Sequence, residues 1–166
     1  MKHADDQLPK DRDVWLTSLW GFDFDKWGAL GFTVTADRDR FVRLTRPGVL
    51  VAIYVSKGRG PSELSGKVAG VVEVTHETGH LREYTKPDVW SARAASPERN
   101  RWINALRVTR AWQVRSAALR SVEEVFPNTY SPEKARHIGK QGVPVDERDL
   151  GHAFALDVYE IMVYSG

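Results

Sequence analysis

Two apolar runs separated by a turn-rich spacer constrain this chain more than any other feature. Val49-Leu50-Val51-Ala52-Ile53-Tyr54-Val55 and Val68-Ala69-Gly70-Val71-Val72-Glu73-Val74 flank a loop, 57–66, rich in Gly, Pro and Ser. β-Branched residues fit the pleated surface of a sheet, and runs this short and continuously apolar read as strands buried on both faces. A spacer of turn residues between two such runs predicts a hairpin. Arg46-Pro47-Gly48 supplies turn chemistry just ahead of it.

The flanking sequence builds outward from that hairpin. Residues 14–19 read as a first strand, followed by a Gly-rich turn, irregular or short helical structure, and a short helix over 37–44 that buries Phe41 and Leu44. Residues 78–100 read as a long connection, and 102–112 as another strand. A helix over 116–125, with Ser116 as its cap, closes at Pro127. Ser131-Pro132-Glu133 starts a further helix that Gly139 should end, and 153–164 reads as a last strand. With 166 residues and one run of core positions, the expectation is a single α+β domain over 13–166 behind a flexible tail, 1–12. Its curved, mostly antiparallel sheet or small barrel would be flanked by short helices.

Several classes of function are excluded or disfavoured by what is missing. The chain has no Cys, hence no disulfide framework, thiolate metal site or thiol nucleophile. Its longest apolar run, 49–55, is too short to span a bilayer as a helix, and residues 1–12 are charged rather than signal-like. The expectation is therefore a cytoplasmic protein with no membrane partner.

Charge is unevenly placed. Residues 93–140 carry 10 basic and 4 acidic groups, whereas residues 141–166 carry one against five. Such a basic stretch attracts polyanions, and phosphate neutralisation is the sequence-independent part of nucleic-acid affinity. Arg93, Arg99, Arg101 and Arg110 are the candidates for backbone contact, against the alternative of solvated surface arginines.

Catalytic motifs are few. His76-Glu77-Thr78-Gly79-His80 matches the H-E-x-x-H pattern of zinc hydrolases, in which two His at i and i+4 on a helix share a metal. Here the motif follows a β-branched strand and contains a glycine, so it reads as two histidines at a strand end. Gly60 and Gly66-Lys67 miss the spacing of a phosphate loop, and no strand–G-x-S-x-G–helix elbow is present. No enzyme, metal or cofactor is expected.

The six tryptophans say more. Trp15, Trp102 and Trp112 fall in expected strands and read as core. Trp20, Trp27 and Trp90 fall in connections, where regular packing has no need of an indole; such residues either plug the end of a core or form a cage that stacks on a flat group.

The order of these phrases, from Asp13-Val14-Trp15-Leu16-Thr17-Ser18 through the Pro47–Val55 and Val68–Val74 runs to Trp90 and the 102–110 strand, resembles the PUA-like superfamily and within it the EVE and YTH domains. That resemblance covers about residues 13–113, with a weaker echo in 142–149. It implies a non-enzymatic reader that flips a modified base into an aromatic cage, with Trp90 as one wall and Trp20 or Trp27 as another. By the same resemblance the expected partner is DNA carrying 5-methylcytosine, before RNA carrying methyladenine, with any cleavage left to a partner nuclease.

Overall fold

The structure, a computed structural model, describes residues 7–166. Among them the two founding runs form strands β3 (Val49–Val55) and β4 (Val68–His80), paired as an antiparallel hairpin in which Val51 faces Val72. Around it stand β1 (Val14–Leu19), β2 (Ala29–Phe32), β5 (Asn104–Val114), β6 (Val143–Pro144) and β7 (Val158–Ile161). The sheet order is β2-β5-β4-β3-β1-β6, with β7 also on β5. β1 runs parallel to β3 and every other pairing is antiparallel. The sheet curls into a half barrel flanked by short helices, the mixed α+β architecture expected from the sequence.

Strand periodicity divides the core into two layers. Leu50, Ala52 and Tyr54 of β3 point to one face, where they meet Trp112, Phe126 and Ile138. Helices α3 (Val122–Val125), α4 (Ala135–Gln141) and α5 (Leu150–Phe154) cover this face with Val122, Ile138 and Ala153. Val49, Val51, Ile53 and Val55 point to the other, against Phe22, Phe24, Phe32 and Phe41 of helix α1 (Thr35–Leu44). Each such side chain, fully buried, stabilises the fold by roughly 1.5–3 kcal/mol. Shifts of register in β4 near Val74 and Thr78 add local twist of the kind that bends a sheet.

Several elements depart from the sequence expectation for identifiable reasons. β2 carries Gly31, which weakens any strand signal, yet it pairs with β5 from Ala29↔Arg107 to Phe32↔Asn104. β4 continues through polar residues to His80 because β5 gives it partners, Thr78↔Leu106 and His80↔Asn104. Within the expected long connection lies helix α2 (Pro87–Ala94), with proline in its first turn. The helix expected over 116–125 is a 3₁₀ turn, Ser116–Ala118, and then α3, whose cap is Ser121 rather than Ser116. α4 runs through Gly139 and stops at Gly142, and the expected last strand over 153–164 divides into the end of α5 and β7.

Part of the expected tail, residues 1–6, lies outside the described residues. In the remainder Leu8 is buried against the α3–α5 layer, and Arg12 donates to Glu73 Oε2 at 2.8 Å. No helix among the described residues is long and apolar enough to cross a membrane.

Candidate functional site

Where β1 leaves the sheet, the chain builds a recess of about 250 Å³ lined by Trp20, Asp23, Trp27, Leu81, Arg93 and Trp102, among others. Leu19, Ala29 and Val89 add apolar surface. Drug-sized ligands need roughly 300–1,000 Å³, so this volume suits a single flat ring system.

Local backbone chemistry sets each wall. Asp23 turns the chain by accepting the N–H groups of Lys26 and Trp27 at 2.8 and 3.2 Å, which presents the Trp27 indole. A short ladder then ties this segment to the end of the 3₁₀ turn Leu81–Tyr84: Gly28 N–H donates to Tyr84 O at 2.8 Å and Lys86 N–H to Lys26 O at 3.0 Å. The buried Thr85 hydroxyl is spent within that turn, donating to Leu81 O at 2.7 Å. Phe24 backs Trp27 edge-on, with ring centroids 6.3 Å apart.

Trp102 is the wall that sequence reasoning assigned to the core. Its backbone has φ +59°, a left-handed conformation unusual for a bulky residue. Close packing over β2 holds it there: a Cβ at Gly31 would lie 2.0 Å from the Trp102 carbonyl oxygen, so only glycine fits beneath it. The Trp102 N–H donates to Thr33 Oγ1 at 3.3 Å. Strand β5 consequently starts at Asn104, and the indole of Trp102 meets that of Trp20 edge-on, centroids 5.1 Å apart at 83°. Local sequence carried a faint signal, since Ser96-Pro97-Glu98 is turn chemistry close enough upstream to delay a strand.

Three guanidinium groups gather at these two indoles. Arg59 lies 4.2 Å and Arg101 4.6 Å over the Trp20 ring, and Arg93 sits 5.9 Å from that of Trp102. They differ in what else they do. Arg93 is half-buried and donates from Nη2 to the carbonyl oxygens of Glu98 and Arg101, bracing the 96–101 loop. Burial lowers its pKa from the ordinary arginine value, opposed by the Glu98 carboxylate. Arg101 donates to Glu98 Oε2 at 2.9 Å. Asp23 contributes the one carboxylate of the lining, and its side chain has no hydrogen-bond partner among the described residues.

Of the residues expected from sequence, Trp20 and Trp27 both line this recess. Trp90 is not part of its lining. On α2 it packs edge-on to His80, centroids 5.5 Å apart, against the small cluster of Ala29, Leu81 and Ala105. Arg99 is exposed on the 96–101 loop. Arg110 is committed elsewhere in the sheet, with a bidentate pair to Glu160 at 2.7 and 2.9 Å and its guanidinium 4.7 Å over Trp112. Sequence reasoning missed Trp102, Asp23 and Arg59.

The zinc motif does not acquire zinc geometry. His76 to His80 lies in β4 rather than in a helix, so four residues of extended chain separate the rings by roughly 13 Å along the strand. Their partners differ too. His76 Nε2 is 2.9 Å from Thr45 Oγ1, and burial lowers its pKa; His80 Nδ1 accepts from Arg82 N–H at 3.1 Å. Glu77 faces Arg107 at 3.4 Å. Among the described residues no group of His, Asp and Glu is placed to hold a metal.

No protein-family model matches the chain, and no curated protein matches it. Solved structures are similar at low identity. A protein of Agrobacterium tumefaciens is 15% identical over 90% of this chain and 85% of its own, with a TM-score of 0.39. A hypothetical protein of Leishmania major is 18% identical over 86% and 92%, with a TM-score of 0.48. The YTH domain of the Zygosaccharomyces rouxii MRB1 protein, solved in complex with N6-methyladenosine RNA, is 14% identical over 94% and 83%, with a TM-score of 0.39.

Proposed function

We propose that this chain is a PUA-like, EVE/YTH-type reader that binds nucleic acid and holds one modified base in the recess of Trp20, Trp27 and Trp102. The observation that carries this reading is the joining of three indoles, one carboxylate without a partner and three guanidinium groups around 250 Å³. Indole walls stack on a base with about 1–3 kcal/mol each, whatever its identity. Discrimination falls to Asp23. A carboxylate accepts hydrogen bonds and donates none, so it favours bases with an exocyclic amino group, cytosine through N4 or adenine through N6, over thymine or uracil.

Within that reading we favour 5-methylcytosine in DNA. Leu19, Leu81 and Val89 offer apolar surface to the added methyl, worth roughly 0.8 kcal/mol by burial. A base within a duplex would have to be flipped out at a cost of a few kcal/mol, which stacking and the Asp23 contact offset. No step of bond making or breaking is assigned to the chain, and any cleavage would belong to a partner nuclease.

Binding to matched oligonucleotides carrying cytosine, 5-methylcytosine, adenine and methyladenine, as DNA and RNA in single- and double-stranded form, tests the reading. The strongest binding is expected for 5-methylcytosine DNA, with Asp23→Asn lowering the preference for amino-bearing bases about fivefold to tenfold. Equal binding of modified and unmodified partners would sink the reader assignment; a preference for methyladenine RNA would keep the cage and overturn the choice of ligand.

A further inference from the structure

Arg59 is the guanidinium at Trp20 that has no counter-ion among the described residues. It stands exposed on the 57–66 loop, and among the described residues its side chain has no hydrogen bond or ion pair. Its guanidinium lies over the face of Trp20, 4.2 Å away. The backbone beneath it is held by hydrogen bonds and a close approach. Arg59 N–H donates to Ser56 O at 3.0 Å, Gly58 N–H donates to Ser65 Oγ at 2.9 Å, and the chain then passes Trp20 so closely that a Cβ at Gly60 would lie 2.1 Å from the Trp20 carbonyl oxygen. Gly60 has φ +64°, so the approach requires glycine twice over.

The other two guanidinium groups have prior commitments, Arg93 to two carbonyl oxygens and Arg101 to Glu98. A cation resting on a part-exposed indole is held weakly enough to exchange that contact for a charge-assisted pair with a phosphate oxygen. The loops that carry Arg59 and Arg101 both reach the same Trp20 ring. A base stacked in the recess therefore has a basic arm on the 57–66 side and, on the 96–101 side, Arg101 with the exposed Arg99 two residues before it.

We propose that Arg59 takes the phosphate on one side of the caged base, so that the partner is a continuous strand crossing from the 57–66 loop to the 96–101 loop and not a free base or nucleoside. This rests on the base-binding reading of the recess and adds to it a strand path and a residue outside the basic stretch 93–140. Asp23 lines the recess and Glu98 is paired with Arg101, while on the 57–66 loop Lys57 is paired with Glu123 and Glu63 makes no ion pair with Arg59 among the described residues.

The test compares a short single-stranded oligonucleotide bearing 5-methylcytosine at its centre with 5-methylcytidine as the free nucleoside, for the intact chain, Arg59→Gln, Arg59→Lys and Trp102→Ala. Arg59→Gln should lower oligonucleotide affinity about threefold to tenfold at low salt and reduce the log–log salt slope by about 0.7, the value of one single-strand phosphate. For the intact chain the nucleoside, which carries no phosphate, should bind more weakly than the oligonucleotide, and Arg59→Lys, which keeps the charge and loses the stacking geometry, should keep the slope. An unchanged slope in Arg59→Gln, while Trp102→Ala loses the preference for the modified base, overturns the phosphate arm and leaves the cage. A reduced slope with base preference untouched in Trp102→Ala does the reverse. Absence of any oligonucleotide binding by the intact chain overturns both.

Discussion

Asp149 and Asp23 are both carboxylates at the junction of loops, and they are treated in opposite ways. Asp149 is fully buried and saturated: it accepts Asn128 N–H at 2.9 Å, Asn128 Nδ2 at 2.8 Å and Thr129 Oγ1 at 2.7 Å, and so locks the turn after α3 to the start of α5. Asp23 lines an open recess, and its side chain has no partner among the described residues. Saturation is what a structural carboxylate needs, because an unpaired buried charge is costly. An acceptor left unpaired beside three indoles retains its capacity for a ligand. Tryptophans divide the same way: Trp112 is fully enclosed in the core, whereas Trp20, Trp27 and Trp102 are part-exposed around the recess.

The largest effect should come from breaking the saturated side. Asp149→Ala strands three donors and is expected to destabilise the fold by about 3 kcal/mol, a fall in melting temperature of roughly 6–12 °C. The protein that remains folded should keep its base preference. Loss of preference without loss of stability, read by thermal melting and oligonucleotide titration, would erase the contrast between the two carboxylates.

A smaller, more selective effect is expected on the ligand side. Trp102→Ala should weaken binding of the modified oligonucleotide by about 1–3 kcal/mol, tenfold to a hundredfold, while leaving weak non-specific binding in place. Trp90→Ala, which removes an indole packed on His80 outside the recess lining, should lower the melting temperature and leave preference within about twofold. The reverse pattern would move the cage wall from Trp102 to Trp90.

The smallest effect is a pH dependence at His76. Burial depresses its pKa in the folded state, so folding favours the neutral ring. That contribution to stability is fully present above the unfolded value of about 6.5 and is lost as pH falls through it toward the lower folded value. His76→Gln should therefore flatten the acid limb of the melting-temperature profile between about pH 7 and pH 5 and leave base binding at neutral pH unchanged. An acid limb identical in the two proteins would place the titration elsewhere.

The founding hairpin, β1 and the α+β class were legible because each follows from local pattern, β-branched runs above all; α1 was legible as a helix that buries Phe41, but Leu44, expected on its buried side, is 54% exposed at the helix end. β2 was not, since Ala-Leu-Gly-Phe has no strong strand signal and pairs only because β5 is there to receive it. Trp20 and Trp27 were marked by the oddity of an indole in a connection, and both reached the recess. Trp102 was read as core because its neighbours alternate like a strand, and nothing in that alternation announces a φ of +59°. Arg59 was passed over because it stands far from the basic stretch 93–140.

What the sequence determined by itself was part of the short-range order: the β-branched runs that become β1, β3 and β4, and a mixed α+β class with a mostly antiparallel sheet. These depend on side-chain shape and period within a few residues, which a sequence displays directly. Tertiary structure alone decided which tryptophans meet, which arginines are spent on carbonyls and carboxylates, and which carboxylate lines the recess. Those outcomes depend on pairings such as Ala29↔Arg107 and Trp20 against Trp102, whose partners lie 78 and 82 residues apart, and no local pattern encodes the space between them.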